Sequence, residues 1–291
     1  MLKKSSYLFS LFIVFSLSLE GKSLLYEVSS KISTVYILGS IHLAKPELYP
    51  LDKEIIKAYE SSEVLVLELD PSSTESIQTI EDSIIRLGRY PLGKRLDTEL
   101  TSKTYKRLKE YLSKTNVSLD VMKQLRPWVV MLQLSMIEMT RLGYSAELGI
   151  DQYFLQRAKE ENKTVLELES AQAQMSLLAK DDKAFQDKLL FYTLESMDEM
   201  EPMLNDMFIN WRKGNAEAFD KIMSKPLEDD PSLEGIYDDI ITKRNYAMTK
   251  RIEGFLETKK DYFVVVGSGH VVGKEGIVSL LKGRGHKVIQ H

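Results

Sequence analysis

"VLVLELD", Val64–Asp70, opens as an uninterrupted run of valine and leucine and closes on two carboxylates. A run apolar on both faces suits a strand covered from both sides, the situation in sheets flanked by helices. Just upstream, Pro50 and Leu51 open "LDKEIIKAYESS", a short amphipathic helix. Before it, "SLLYEVSS" and "STVYILG" are short, β-branched and aromatic-rich runs that predict a hairpin. The order strand, helix, strand marks an α/β unit. The chain returns to this order at its end, with a long helix "SLEGIYDDIITKRNYAMTKRIEGFLETK", a strand "YFVVVG", a helix around "EGIVSLLKGRG" and a last strand "KVIQ".

Between these ends, about Ser76 to Lys225, the pattern is mostly helical around one strand, "TVLELE" at 164–169. "RPWVVMLQLSMIEMTRLG" has Pro127 where a first helical turn tolerates it and Gly143 where a helix stops, and "GIDQYFLQRAKEENK" ends near Asn162. Ser170 is placed to cap the next helix. The Met- and aromatic-bearing stripe from Met197 to Trp211 reads as helical core packing. No Pro-, Gly- or Ser-rich linker divides the chain after its N-terminal segment. The expectation is an α/β fold: a central mixed β-sheet with flanking helices and a large helical insertion, within a single domain over 22–291.

Lys3 and Lys4 precede "SYLFSLFIVFSLSL", which has the form of a signal peptide over 1–21 and predicts a periplasmic or secreted protein, an uncleaved membrane anchor being the alternative. No later stretch is long and apolar enough to span a bilayer. A formal net charge of -4 leaves no basic footprint for nucleic acid. Cysteine is absent, which excludes disulfides, thiolate ligands and a cysteine nucleophile. Any metal must be held by His, Asp or Glu, a donor set suited to Mn, Co or Zn.

Two of the four histidines share one local setting: "ILGSIH" delivers His42 and "VVVGSGH" delivers His270, each three residues after a glycine that ends a strand-like run. "VLELD" and "VLELE" form an approximate mirror beside them, and strand alternation puts Glu68 with Asp70, and Glu167 with Glu169, on shared faces. Open α/β sheets bind ligands beside the carboxyl ends of their strands. If the two turns face each other, His42, His270, Glu68 and Glu169 form a divalent-metal site. His286 and His291 lack this setting, and Ser40 and Ser268 suit tight turns better than nucleophilic duty. Dinucleotide and P-loop fingerprints, HExxH and GxSxG are absent.

With the GxxH pair (Gly39–His42, Gly267–His270), "LELD" at Leu67–Asp70, "RPWVV" at Arg126–Val130, "LGID" at Leu148–Asp151, "LESAQAQ" at Leu168–Gln174, "WRKGN" at Trp211–Asn215, "KRN" at Lys243–Asn245 and "VGSGHVVG", the sequence resembles the TraB/GumN family, which includes the PrgY pheromone inhibitors and the Tiki proteases. The resemblance implies a fold related to erythromycin-esterase-like and ChaN-like proteins and, in the Tiki branch, metal-dependent proteolysis through the two GxxH histidines and glutamates. Carried onto this chain, the metal ligands are His42, His270, Glu68 and Glu169, with Glu68 or Glu169 as general base. Arg244 would assist the oxyanion, with Arg244 and Asn245 contacting substrate; a salt bridge from Arg244 to a buried acid is the competing assignment. Asp151, which equally suits a helix start, is left outside the site. The reading is a metal-dependent hydrolase acting on a peptide or protein; a peptide- or ligand-sequestering protein and a metal-independent, esterase-like hydrolase are the alternatives.

Overall fold

A computed structural model describes residues 23–291, so the signal-peptide expectation over 1–21 lies outside the described residues. Six strands form one sheet: β1 Leu25–Ser29, β2 Thr34–Ser40, β3 Val64–Leu67, β4 Thr164–Glu167, β5 Tyr262–Gly267 and β6 Val288–Gln290, in the order β4-β3-β5-β2-β1-β6. Strands β4, β3, β5 and β2 run parallel, while β1 is antiparallel to both β2 and β6. The sheet is therefore mixed, with helices around it.

Sequence and position agree for the central strands. Every residue of β3 and β5 is buried, as their continuous apolar composition requires. The expected hairpin is β1 with β2, and the expected helix is Lys53–Ser61, whose N-cap Asp52 accepts from Glu54 N–H. Pro127 opens the helix Pro127–Arg141, Gly143 follows it at φ +83°, and Ser170 caps Ala171–Leu178.

Two apolar clusters organise the interior. One lies on the sheet and gathers Ile37, Leu65, Val264, Phe154 and Phe263; the other lies among helices and gathers Trp128, Leu108, Leu134, Leu190 and Met197. Met197 and Trp211, ends of the stripe read as core packing, are both buried, and Trp211 reaches the sheet, where its Nε1–H donates to the Gly39 carbonyl at 2.7 Å.

The long C-terminal helix departs from regularity. Glu234–Tyr237 is α-helical, Asp238–Thr242 is a π turn and Lys243–Phe255 is α-helical again. A π turn carries one residue more than an α turn, and here it ends two residues before Arg244.

Among the described residues no helix is long and apolar enough to cross a membrane.

Candidate active site at the strand ends

Four adjacent parallel strands finish at one end of the sheet, and each delivers a polar residue one to three positions past its last residue: His42 after β2, Glu68 after β3, Glu169 after β4 and His270 after β5. A Cβ at Gly267 would lie 3.2 Å from His42 Nε2, 3.3 Å from Glu68 Oε1 and 3.7 Å from His270 Cδ2. Both imidazoles and the carboxylate therefore crowd around one backbone position that only glycine leaves open.

Strand alternation does not describe the acidic residues. β3 stops at Leu67, and the pairing aligns Leu67 with Glu167, one residue out of step with the "VLEL" mirror. Glu68 and Asp70 consequently diverge: Glu68 enters the site, while Asp70 meets Lys159 at 3.2 Å and holds Ser72. Glu167 accepts from Asp70 N–H at 2.6 Å, and Glu169, whose N–H donates to the Glu68 carbonyl, turns toward Arg244.

Glu68 is buried with both oxygens engaged. Oε1 accepts from Gly267 N–H at 2.6 Å, and Oε2 accepts from Arg244 Nη2 at 2.7 Å and lies 3.8 Å from His270 Nε2. Burial resists its ionisation, but His270, His42, Arg244 and the Gly267 amide together outweigh that and hold its carboxyl below the usual range. Glu169 presents both oxygens to Arg244, at 2.9 Å to Nε and 2.6 Å to Nη2, and also accepts from Gln174. Arg244 thus bridges two carboxylates in a forked geometry that lysine could not reproduce. Its Nη1 donates to the Ile240 carbonyl inside the π turn, which leaves one of its N–H groups without a partner among the described residues.

The two histidines are held in opposite states. His270 is buried, and its Nδ1 lies 2.6 Å from Asn245 Oδ1. Asn245 Nδ2 donates to the Glu275 carbonyl, which orients the amide and requires His270 Nδ1 to carry the proton. Burial pushes the His270 imidazolium pKa down to about 4, despite Glu68, so the ring is neutral with the Nε2 lone pair aimed into the site. His42 Nδ1 lies 2.8 Å from Asp151 Oδ2, whose other oxygen accepts from Ser40 Oγ at 2.8 Å. Asp151 raises the His42 pKa to about 9 against the effect of burial, though 58% of the side chain remains exposed. Since this value lies above the ordinary 6.5, the pair's contribution to stability is full below about pH 6.5 and is lost as pH rises through about 9. Imidazole ¹⁵N spectra of the metal-free protein are expected to show His270 as the neutral Nδ1–H tautomer at pH 7 and His42 doubly protonated until about pH 9. Two identical neutral rings at pH 7 would contradict this assignment.

Two assignments change with these contacts. Asn245, expected to touch substrate, is 1% exposed with both amide ends bonded to the protein, so it positions His270 instead. Asp151, set aside as a helix-start acid, begins the helix Ile150–Glu160 and also grips His42. The preceding glycine lets the chain pass close to His42, since a Cβ at Gly149 would fall 2.2 Å from the His42 carbonyl oxygen. Among the described residues no three His, Asp or Glu side chains are disposed to hold a metal ion as they stand; Arg244 takes Glu68 Oε2 and both oxygens of Glu169, and the Gly267 amide takes Glu68 Oε1.

A model of the TraB/PrgY/gumN family matches residues 24–290, which is nearly the whole described chain. The chain belongs to the TraB/PrgY/gumN family. The chain is similar to the uncharacterized protein YbaP of Escherichia coli strain K12, 23% identical over 257 residues that cover 85% of this chain and 87% of YbaP. YbaP of Shigella flexneri aligns with the same identity and coverage. The uncharacterized protein MJ1365 of Methanocaldococcus jannaschii is 34% identical over 103 residues, 35% of this chain and 24% of its own length. No solved structure matches the chain.

The motifs by which this TraB/PrgY/gumN member resembles its family have identifiable structural duties. "LGID" supplies the partner of His42 and "KRN" supplies both Arg244 and the anchor of His270. "WRKGN" supplies the Trp211 bond to the Gly39 carbonyl, and Asn215 caps the helix Ala216–Asp229.

Proposed function

We propose that this family member is an exported, metal-dependent hydrolase that cuts peptide bonds at the strand-end site. The observation that carries the reading is the convergence of two imidazoles on one buried carboxylate, each ring tied back through Nδ1 so that Nε2 faces the others. Histidines that ligate metals are held in this way, by a carboxylate or carbonyl oxygen behind the ring. The donor set therefore suits Mn, Co or Zn, with Nε2 of His42, Nε2 of His270 and a lone pair of Glu68 as the holding atoms. When bound, such an ion would polarise a carbonyl and acidify water. Glu169 does not join that set, because Arg244 holds both its oxygens.

The remaining chemistry belongs to the chain's own groups. Glu68, ionised between the imidazoles, would accept the proton of an attacking water where it does not itself hold the ion. Arg244, locked by two carboxylates and the Ile240 carbonyl, offers its one uncommitted N–H to the oxygen that gains charge. Doubly protonated His42 would have to lose its Nε2 proton to solvent before that nitrogen could ligate, while Nδ1–H stays on Asp151, so metal affinity would rise with pH. The peptide substrate class rests on the resemblance to the Tiki proteases, and export rests on the segment before residue 22.

A metal-independent hydrolase is the second reading, favoured by one observation: Arg244 already gives Glu68 a cationic partner at 2.7 Å. Neutral His270 would then be the base and protonated His42 the acid.

One experiment separates the readings. The purified full chain is assayed for bound metal, stripped with chelator, and presented with a peptide library and an ester panel before and after adding Mn, Co or Zn. Peptide cleavage lost on chelation and restored by metal supports the first reading, and chelator-resistant ester cleavage replaces it with the second. Stoichiometric peptide binding without product would overturn both in favour of sequestration.

A further inference from the structure

The helix Thr74–Leu87 is inverted with respect to its composition. It packs on the helix Ala171–Leu178 and buries Ser76 and Ser83, while Ile77, Ile84, Ile85 and Leu87 are exposed. Ile85 is 66% exposed. The apolar face continues past the helix into a loop whose tip, Leu92, is fully exposed beside Gly93 at φ +90°. Val121, 69% exposed, lies on the short turn Leu119–Met122 next to this loop.

The tip is held in place. Tyr90 N–H donates to the Gln124 carbonyl, Leu96 N–H donates to the Lys123 carbonyl, and Arg89 bridges Leu125. Exposed leucine and valine on fixed backbone keep their apolar surface in water permanently, a cost that an unoccupied surface gives no reason to carry.

Charge indicates the occupant. "IIRLGRYPLGKRL", Ile84–Leu96, contains four cations and no carboxylate. Arg86 and Arg95 are partly neutralised by Asp82 and Asp97, but Arg89 has no ion pair among the described residues and Lys94 has only a loose one, 3.9 Å from Glu99. Acids border the stretch as well, Glu81 and Asp82 before it and Asp97 and Glu99 after it, so Arg89 is the cation beside the fixed apolar tip without an ion pair among the described residues. An apolar tip beside such a cation matches the edge of an anionic bilayer, where the apolar side chains enter below the headgroups and the cation remains at phosphate level.

We propose that the face formed by Ile84, Ile85, Leu92 and Val121, with Arg89 and Lys94 at its rim, docks this protein on an anionic lipid surface. The interaction is independent of the strand-end chemistry.

The test is sedimentation of the full chain with vesicles of phosphatidylcholine alone or with phosphatidylglycerol added. Binding is expected to require the anionic lipid, to weaken with salt, and to fall about tenfold or more in the double variant Leu92→Asp, Arg89→Glu, at about fivefold per cation plus the lost apolar insertion. Lys259→Glu, an exposed charge change elsewhere, should leave it unaltered, and matched thermal unfolding shows that the variants fold. Equal binding to both vesicle types, or by wild type and double variant, overturns the proposal. So does a dimer in sedimentation velocity that Ile85→Asp dissolves while vesicle binding persists, since the face would then belong to a second copy.

Discussion

Replacing Arg244 by methionine is expected to destabilise the fold by about 3–5 kcal/mol, read as a lower denaturant midpoint at unchanged slope. Glu68 is buried, Glu169 is partly buried, and both use Arg244 as their cationic partner, so its loss leaves two carboxylates close together with only the protonated His42 to offset them. Each then has to protonate or draw in water. A second substitution, Glu169→Gln, should return part of the loss, because it removes one of the stranded charges, and the double variant should be more stable than Arg244→Met alone. Arg244→Lys is expected to fall between, since one ammonium cannot reproduce the fork that meets Nε and Nη2 contacts at once. Equal stability of Arg244→Met and wild type would mean that the triad is hydrated and worth no more than a surface pair.

On the proposed hydrolase reading, the second large effect is on turnover. Glu68→Gln and His270→Ala are each expected to lower kcat by about 10²–10⁴, the range for removing a positioned acid or base. The pair together should cost little more than either alone, as happens when residues act as one unit. Asn245→Leu separates position from chemistry: it leaves Nε2 of His270 in place but frees Nδ1, so the ring tautomer and the pH profile should change together with a smaller fall in kcat. Unaltered turnover in Glu68→Gln would remove the strand-end site from consideration as the catalytic centre.

The parts of this arrangement that were legible in the sequence are those set by local chemistry. The apolar runs Val64–Leu67 and Tyr262–Gly267 read as buried strands because no polar residue interrupts them, and Gly267 ends its strand while β2 runs one residue past Gly39 to Ser40. Asp151 was illegible for a physical reason: an acid in the first turn of a helix is already explained by the helix dipole, so nothing in "LGID" demanded a second role. The divergence of Glu68 from Asp70 was hidden because alternation holds only while a strand lasts, and β3 ends one residue before the first carboxylate. The outward isoleucines of Thr74–Leu87 ran against the usual direction of amphipathic packing, which periodicity alone cannot reverse.

The single surplus residue in Asp238–Thr242 makes the ion network severable at a distance. Deleting one residue there would let the helix run on regularly and swing everything downstream by about 100° around its axis, carrying the guanidinium off the two acids while leaving every side chain of the site chemically intact. Such a shortened chain would therefore test the guanidinium's position with no substitution among the residues it touches.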